Sequence, residues 1–335
     1  MPNNIVLSKN YVANLDEVYK RASVTRELTG DPTMVRAGNK AREIVYPQID
    51  VTGLGDYDRN SGYTNGSVNL DWKTAEYNYD RGTKLSVDVE DNEETVNVAF
   101  GMAGAELVRT KVAPEADAFT FARLAGTAGI SKGEEKTIST AAAFMEELLL
   151  AKNQMDNDEV PEENRFLYAT ATLLNGLMML DTYKSKEILA SFAVRQAVPQ
   201  SRFYTAIDLL DGRTAGEEVG HYRKAVATYK KTEDAAVVSG KTYYTKSGDT
   251  YTAVASPSTE NIANYYELVN AAGKEINFLI VHKPALIKHD KHVVGNVISP
   301  ENNPDADAYI LKYRKYGIVE VYQNKLAGIY MSCKQ

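Results

Sequence analysis

The sequence predicts an α+β chain, and three observations carry that expectation. Residues 46–90 hold short runs in which every second residue is apolar (SVNLDW, TKLSVDV), punctuated by glycines at 53, 55, 62, 66 and 82. From residue 92 the apolar spacing becomes helical, with Val96, Phe100, Ala103 and Leu107 on one face. Strand patterns return late, in INFLIV (276–281), HVVGNVI (292–298) and the runs YILKYRKY and GIVEVYQN. Helices therefore cluster between two strand-bearing ends instead of alternating with strands.

Length and charge narrow the class. The 335 residues carry 38 Lys+Arg against 45 Asp+Glu, a net charge of -7, with 44% hydrophobic and 25% charged residues. That is globular composition and a length for roughly two domains. The longest apolar runs, LNGLMML and INFLIV, fall far short of a membrane span. The start, MPNNIVLSKNYV, shows neither the basic opening nor the apolar stretch of a secretory signal. The single cysteine, Cys333, excludes an internal disulfide and a cysteine-ligated zinc. An acidic balance argues against a dedicated nucleic-acid reader. The charge is uneven, however: residues 1–45 have 7 basic and 5 acidic groups (net +2), 46–91 have 4 and 9 (net -5), and 276–335 have 8 and 5 (net +3). Chance fluctuation in small counts is one explanation, and opposite charge met on another copy of the chain is the other.

Each element has its own justification. Residues 1–45 show weak periodicity; a short helix at 14–19 would bury little, so the stretch reads as an extended arm. Residues 46–91 read as a long hairpin with a polar, Tyr- and Asp-rich tip, too poor in large apolar residues to form a core and so expected to project. The helical face from 92 resumes after Pro114 at Phe119, Ala122 and Leu124–Ala125 and stops at Gly126 and Gly129. Glu115 and Asp117 behind the proline suit the first turn of a second helix; the alternative is one long helix kinked at Pro114. Residues 139–155 form a further amphipathic helix, RFLYAT (165–170) a short buried strand, and LLNGLMMLDTYKS another helix. Residues 222–272 differ in composition: KTYYTKSGDTYTAV places two Tyr/Thr-rich strands around Ser247-Gly248-Asp249, the signal of a hairpin in a small inserted β-module.

Chemical motifs are missing their essential parts. Ser239-Gly240-Lys241-Thr242 supplies the end of a phosphate loop, but Ala235 stands where the first glycine belongs and a hairpin follows instead of a helix. His289 and His292, three apart on a strand, are expected on opposite faces, with no partner pair for a metal. Asp305-Ala306-Asp307 lacks the glycine and distal glutamate of a calcium loop and reads as an acidic turn tip. No catalytic residue, cofactor or metal is expected.

The order of parts carries the functional signal: arm, projecting hairpin, helical rod, mixed body, late strand pair with a polar tip. With the stretches ETVNVAFGMAGAELVRTKVAPEADAFTFARLAG (94–126), VPEENRFLYAT (160–170) and INFLIV through LAGIY (276–330), it resembles the major capsid protein of tailed double-stranded-DNA bacteriophages, whose shell fold is shared by herpesviruses. The resemblance covers most of the chain except 222–272. It implies an N-terminal arm (1–45), an extended hairpin loop (46–91), a spine helix with the first part of a peripheral domain (92–135), an axial domain (136–221) carrying the insert (222–272) and closed by a strand (273–290), and a peripheral-domain hairpin (291–335). It further implies a non-enzymatic protein that self-assembles as hexamers and pentamers into an icosahedral head around phage DNA. The implied subunit-contact residues are Asp56, Asp58, Trp72, Lys73, Arg81 and Lys84 in the hairpin, and Asn302, Asn303, Asp305 and Asp307 at the late tip. The implied partners are further copies of the chain, a portal protein, a separate scaffolding protein and a decoration protein. Packaged double-stranded DNA would be enclosed without sequence-specific binding, and no membrane would be involved. The location would be the virion, with assembly in the host bacterial cytoplasm. Many relatives carry a long N-terminal scaffolding region that a protease removes; the short arm from Met1 implies that scaffolding is separate or unnecessary. Crosslinking of a loop lysine, Lys73 or Lys84, finds no identifiable asparagine partner. Two alternatives stand beside this reading: an encapsulin-like compartment, and a monomeric binding protein that uses the Tyr/Thr-rich insert for a sugar or a surface.

Overall fold

The computed structural model describes residues 23–30, 36–37, 42–60, 62–89, 104–180, 182–215, 217 and 220–335. Most of the expected arm and the first part of the expected rod, 92–103, lie outside the described residues.

The interior is built on a five-stranded sheet in the order 131–132, 329–333, 276–282, 165–170, 194–198. Arg165–Thr170 and Ile276–His282 are buried at every position, which is why RFLYAT and INFLIV are mainly apolar, with Arg165, Thr170 and Asn277 as buried polar exceptions. They pair antiparallel, Leu279 opposite Tyr168. Because side chains alternate across a strand, the sheet has two dry faces. Leu167, Ala169, Phe278 and Ile280 pack on helices Ala141–Asn157 and Ala171–Met179 through Phe144, Leu148 and Leu174. Phe166, Tyr168, Leu279 and Val281 pack on the rod through Phe121 and Leu124. Phe121 meets Tyr168 and Phe203 edge-on, at 5.3 and 4.9 Å between ring centroids.

The rod is helical from residue 104 to Ala125. Pro114 neither starts a new helix nor breaks the old one. Val108–Val112 form a π turn immediately before it, with the Ala113 N–H reaching the Val108 carbonyl. Widening that turn gives the proline ring room against the preceding turn and absorbs its missing donor. Glu115 and Asp117 are not wet first-turn residues: both are buried, together with Ala116, Ala118, Thr120 and Phe121. The segment LLNGLMMLDTYKS makes two helices, not one, because Thr182 caps a second helix, Tyr183–Ala190, in a reciprocal box with Ser185.

A second sheet joins Leu286–Ile298, Ala308–Val321 and Tyr79–Asp88. YILKYRKY and the GIVEV of GIVEVYQN thus fall in one 14-residue strand. TKLSVDV leaves the hairpin and pairs with that strand, Lys84 opposite Lys312. A bulge between Asp290 and His292 sets His289 opposite Ile318 and His292 opposite Tyr316, two residues apart. The extra residue therefore turns the two histidines to the same face, contrary to the simple strand count. Gly317 permits the bulge, since a Cβ there would lie 2.7 Å from Asp290 Oδ1.

The hairpin itself runs Glu43–Val51 against Val68–Glu76. Its second strand continues into the second sheet through Tyr77-Asn78. The Asn78 side-chain amide replaces the backbone ladder there, donating to the Val319 carbonyl at 2.8 Å and accepting from the Val319 N–H at 3.1 Å. Ile44, Tyr46 and Ala75 anchor the hairpin base on Ile287 and Ile318.

The inserted module is a four-stranded antiparallel sheet, ordered 228–231, 266–270, 244–247, 250–253, with the expected hairpin turning at Gly248 (φ 59°). Its small core is Tyr243, Ile262 and Tyr265. Lys241, the lysine of the incomplete phosphate loop, is bound to Asp234 (2.6 Å) and Glu267 (2.9 Å) inside this module. The module joins the body where Gly273 donates to the Ala225 carbonyl at 2.9 Å. A Cβ at 273 would stand 2.2 Å from the Ala206 carbonyl oxygen. Gly273→Ala is expected to cost about 1–3 kcal/mol by overpacking, read as a lower denaturation midpoint; an unchanged midpoint would show that the neck yields freely.

Candidate interaction surfaces

Beyond its base, the hairpin is exposed along 49–60 and 63–74. Register divides its residues between two faces of different character. Pro47 lies opposite Trp72, Ile49 opposite Leu70 and Val51 opposite Val68, so one face is an apolar strip. Gln48 opposite Asp71, Asp50 opposite Asn69, and Lys73 make the other face polar. Ile49, Val51, Val68 and Leu70 are 62%, 61%, 69% and 51% exposed. A two-stranded ribbon in water gains little from such a face unless something covers it. Of the segment 46–91, the hairpin part 46–76 holds five acidic residues (Asp50, Asp56, Asp58, Asp71, Glu76) against Arg59 and Lys73, net -3, so most of the segment deficit stays in the hairpin, and the departing TKLSVDV is neutral.

The expected contact residues fall into distinct positions. Asp56 and Asp58 lie at the exposed tip, where Asp58 and Gly62 exchange backbone hydrogen bonds of 3.2 and 2.7 Å and Tyr57 packs on Tyr63. Trp72 is on the apolar strip, and Lys73 sits on the polar face 3.8 Å from Asp71. Lys84 is exposed on the outer face of the second sheet, directly opposite Lys312, with Arg314 on the same face. Arg314 is occupied by a bidentate pair to Asp80 (2.8 and 2.7 Å), whose hydrogen bonds hold that carboxyl below its usual range. Like charges opposed across a ladder, as at Lys84 and Lys312, favour an acidic partner over their own company.

Arg81 is spent inside the chain: its Nε donates to Glu115 at 2.8 Å and its Nη2 to the Leu210 carbonyl at 2.7 Å. Tyr79 donates to the same Glu115 at 3.1 Å, and burial, then the neighbouring carboxylate, push its hydroxyl pKa well up. At the late tip, Asn302 donates to Ser299 (2.9 Å) and Asn303 to the Ala308 carbonyl (3.0 Å), while Asn303 accepts from the Asp305 N–H. These residues shape the turn and leave the Asp305 and Asp307 side chains exposed. The hairpin tip, the Lys84 face and the late tip are separate places on the surface elements, not one cluster.

No protein-family model matches the sequence, and no curated protein matches it. Solved structures do. A chain in the asymmetric unit of the bacteriophage PhiM1 mature capsid superposes with a TM-score of 0.51 at 10% identity, over 89% of this chain and 83% of its own. The chain has the phage capsid fold. A chain in the structure of the head fiber and inner core protein gp22 of native bacteriophage P68 gives 0.50 at 9% identity, over 94% and 85%. The virus-like particle from Pyrococcus furiosus gives 0.48 at 8%, over 97% and 99%.

One feature of this capsid-fold chain escaped sequence reasoning. Leu149, Leu150, Met178, Met179 and Tyr183 are exposed large apolar residues on three helices that pack against the central sheet and one another. Three consecutive leucines, 148–150, were the available signal, because an amphipathic helix buries only the first of them here. Among the described residues no group of three potential metal ligands occurs, and no helix is long and apolar enough to cross a membrane.

Proposed function

We propose that this chain is a major capsid protein whose copies tile a closed shell, as hexamers and pentamers, around phage double-stranded DNA. The observation that carries the proposal is the apolar strip of the hairpin. Its cross-strand pairs, Ile49 with Leu70 and Val51 with Val68, are exposed on a ribbon already anchored at its base. A neighbouring copy covers that strip in a shell, and the exposed leucines and methionines of the helices add a second contact area. The sheet bearing Lys84 and Lys312 would receive the acidic polar face and tip of a neighbour's hairpin, setting register more than affinity. In this reading the segment before the hairpin is the arm, the long-strand sheet belongs to the peripheral domain, and the central sheet with its helices belongs to the axial domain. A portal, separate scaffolding and a decoration protein complete the proposed partners, in a virion assembled in the host cytoplasm. A formal charge of -7 suits a wall that encloses DNA without gripping its phosphates. Light scattering of the purified chain at low and high salt tests the proposal. Particles far above subunit mass, formed at a rate that changes with salt, are expected; subunit-sized scattering at every salt, with a scaffolding partner supplied as well, would end it.

A further inference from the structure

Residues Ser23–Leu28 touch parts of the chain that are distant in sequence, and they do so mainly through ions. Asp117, wholly buried on the rod, accepts hydrogen bonds from Ser23 Oγ (2.6 Å), the Val24 N–H (2.9 Å), the Thr25 N–H (3.2 Å) and Thr25 Oγ1 (2.7 Å). Arg202 Nη1 supplies a fifth donor at 3.0 Å. From the other side Lys288, buried on the strand Leu286–Ile298, donates its Nζ to the Thr25 carbonyl at 2.9 Å and to Thr25 Oγ1. Thr25 is therefore clasped between a carboxylate and an ammonium. One apolar anchor adds to these ions: Leu28 is buried in the core cluster, and the half-buried Val24 packs against it.

We propose that Ser23–Leu28 is a detachable strap that Asp117 and Lys288 hold shut, and that raising the pH shuts it more firmly. Hydrogen bonds to ions can be replaced by water once the segment lifts, whereas the central sheet has no such substitute for its apolar contacts. The groups facing Lys288 are Asp117 on the rod and Lys315 and Asp290 on the long strands, with Lys315 and Asp290 paired at 3.1 Å. Arg202 lies beyond Asp117, and Glu27 belongs to the strap.

The sign of the coupling follows from burial. Covering Lys288 removes its water, and Lys315 adds repulsion, so its pKa falls from the ordinary 10.5 to about 8. Lifting the strap returns it toward 10.5. Between those values the open state binds the proton and the shut state does not, so raising the pH favours the shut strap. Below about 8 both states are protonated and the coupling fades. From pH 7 to pH 9 the closing constant should rise about tenfold. The strap is a property of the single chain, so its failure would leave the shell proposal standing.

Hydrogen exchange of the intact chain, read on the peptide containing Val24, Thr25 and Leu28, tests the proposal. After correction for intrinsic chemistry, protection should be far below that of Ile276–His282 and about tenfold greater at pH 9 than at pH 7. Ser23→Ala, which removes one half-buried donor, should lower protection roughly tenfold at both pH values. Lys288→Met should abolish the pH dependence. Protection equal to that of Ile276–His282, equal protection at both pH values, or a pH dependence that survives Lys288→Met would each overturn it. If Lys288→Met does not fold, the wild-type pH pair and Ser23→Ala still decide.

Discussion

Aspartate in place of both Val68 and Leu70 is expected to abolish assembly and leave the subunit folded. The two side chains lie on the outward strip of the hairpin, 69% and 51% exposed, opposite Val51 and Ile49. Their replacement opens no cavity, and substitutions of exposed residues away from special features stay within about 0.5 kcal/mol each. In a shell the same positions would be covered, and two carboxylates would be stripped of water without partners, a cost of several kcal/mol per contact. Such contacts repeat at every subunit, so a modest loss at each becomes a complete loss for the particle. Thermal melts and light scattering of the same sample separate the two effects. Normal particles from the double variant would show that this strip faces solvent in the assembly. A collapsed melting temperature would show that it packs within its own chain.

The second large effect lies in the interior. Asp117→Ala should destabilise the chain by about 3–5 kcal/mol, because it breaks the buried pair with Arg202 and releases the strap, whose Ser23, Val24 and Thr25 donors turn to water. Lys288 beside them would lose its nearest compensating charge on the rod. Asp117→Asn keeps the shape and part of the acceptor capacity and should cost less. Denaturant titration measures both; equal losses for the two variants would mean that shape, not charge, matters at this position.

The sequence exposed the elements whose pattern is periodic and local. Apolar alternation in SVNLDW gave the hairpin strand and, through Leu70 and Trp72, the face that lies bare. Continuous burial gave RFLYAT and INFLIV, and Ser247-Gly248-Asp249 marked the hairpin of the insert. What stayed hidden depends on partners distant in the chain. TKLSVDV alternates as a hairpin strand would, and only its pairing with Ala308–Val321 removes it from the hairpin. Glu115 and Asp117 look like surface acids at a helix start. Their burial follows from Arg81, which lies 34 residues away from Glu115, and from Thr25, 92 residues from Asp117. The bulge at Lys291 reversed the expected geometry of His289 and His292, because a single extra residue flips every later side chain. Of the contact candidates, Asp56, Asp58, Trp72, Lys73 and Lys84 lie on exposed surfaces, and Arg81 serves the interior.

Uneven charge also acquires a structural address. The acidic excess stays with the projecting ribbon, and the late basic excess includes Lys312 and Arg314 on the outer face of the long-strand sheet. Opposed lysines at 84 and 312 make that face a poor neighbour for itself and a good one for an acidic ribbon.

Negative-stain electron microscopy of the purified chain, with a scaffolding partner supplied where one is needed, tests the central claim most directly. Closed shells of uniform size, built from rings of subunits, are the predicted result. A stable, monodisperse single subunit under every condition would contradict it.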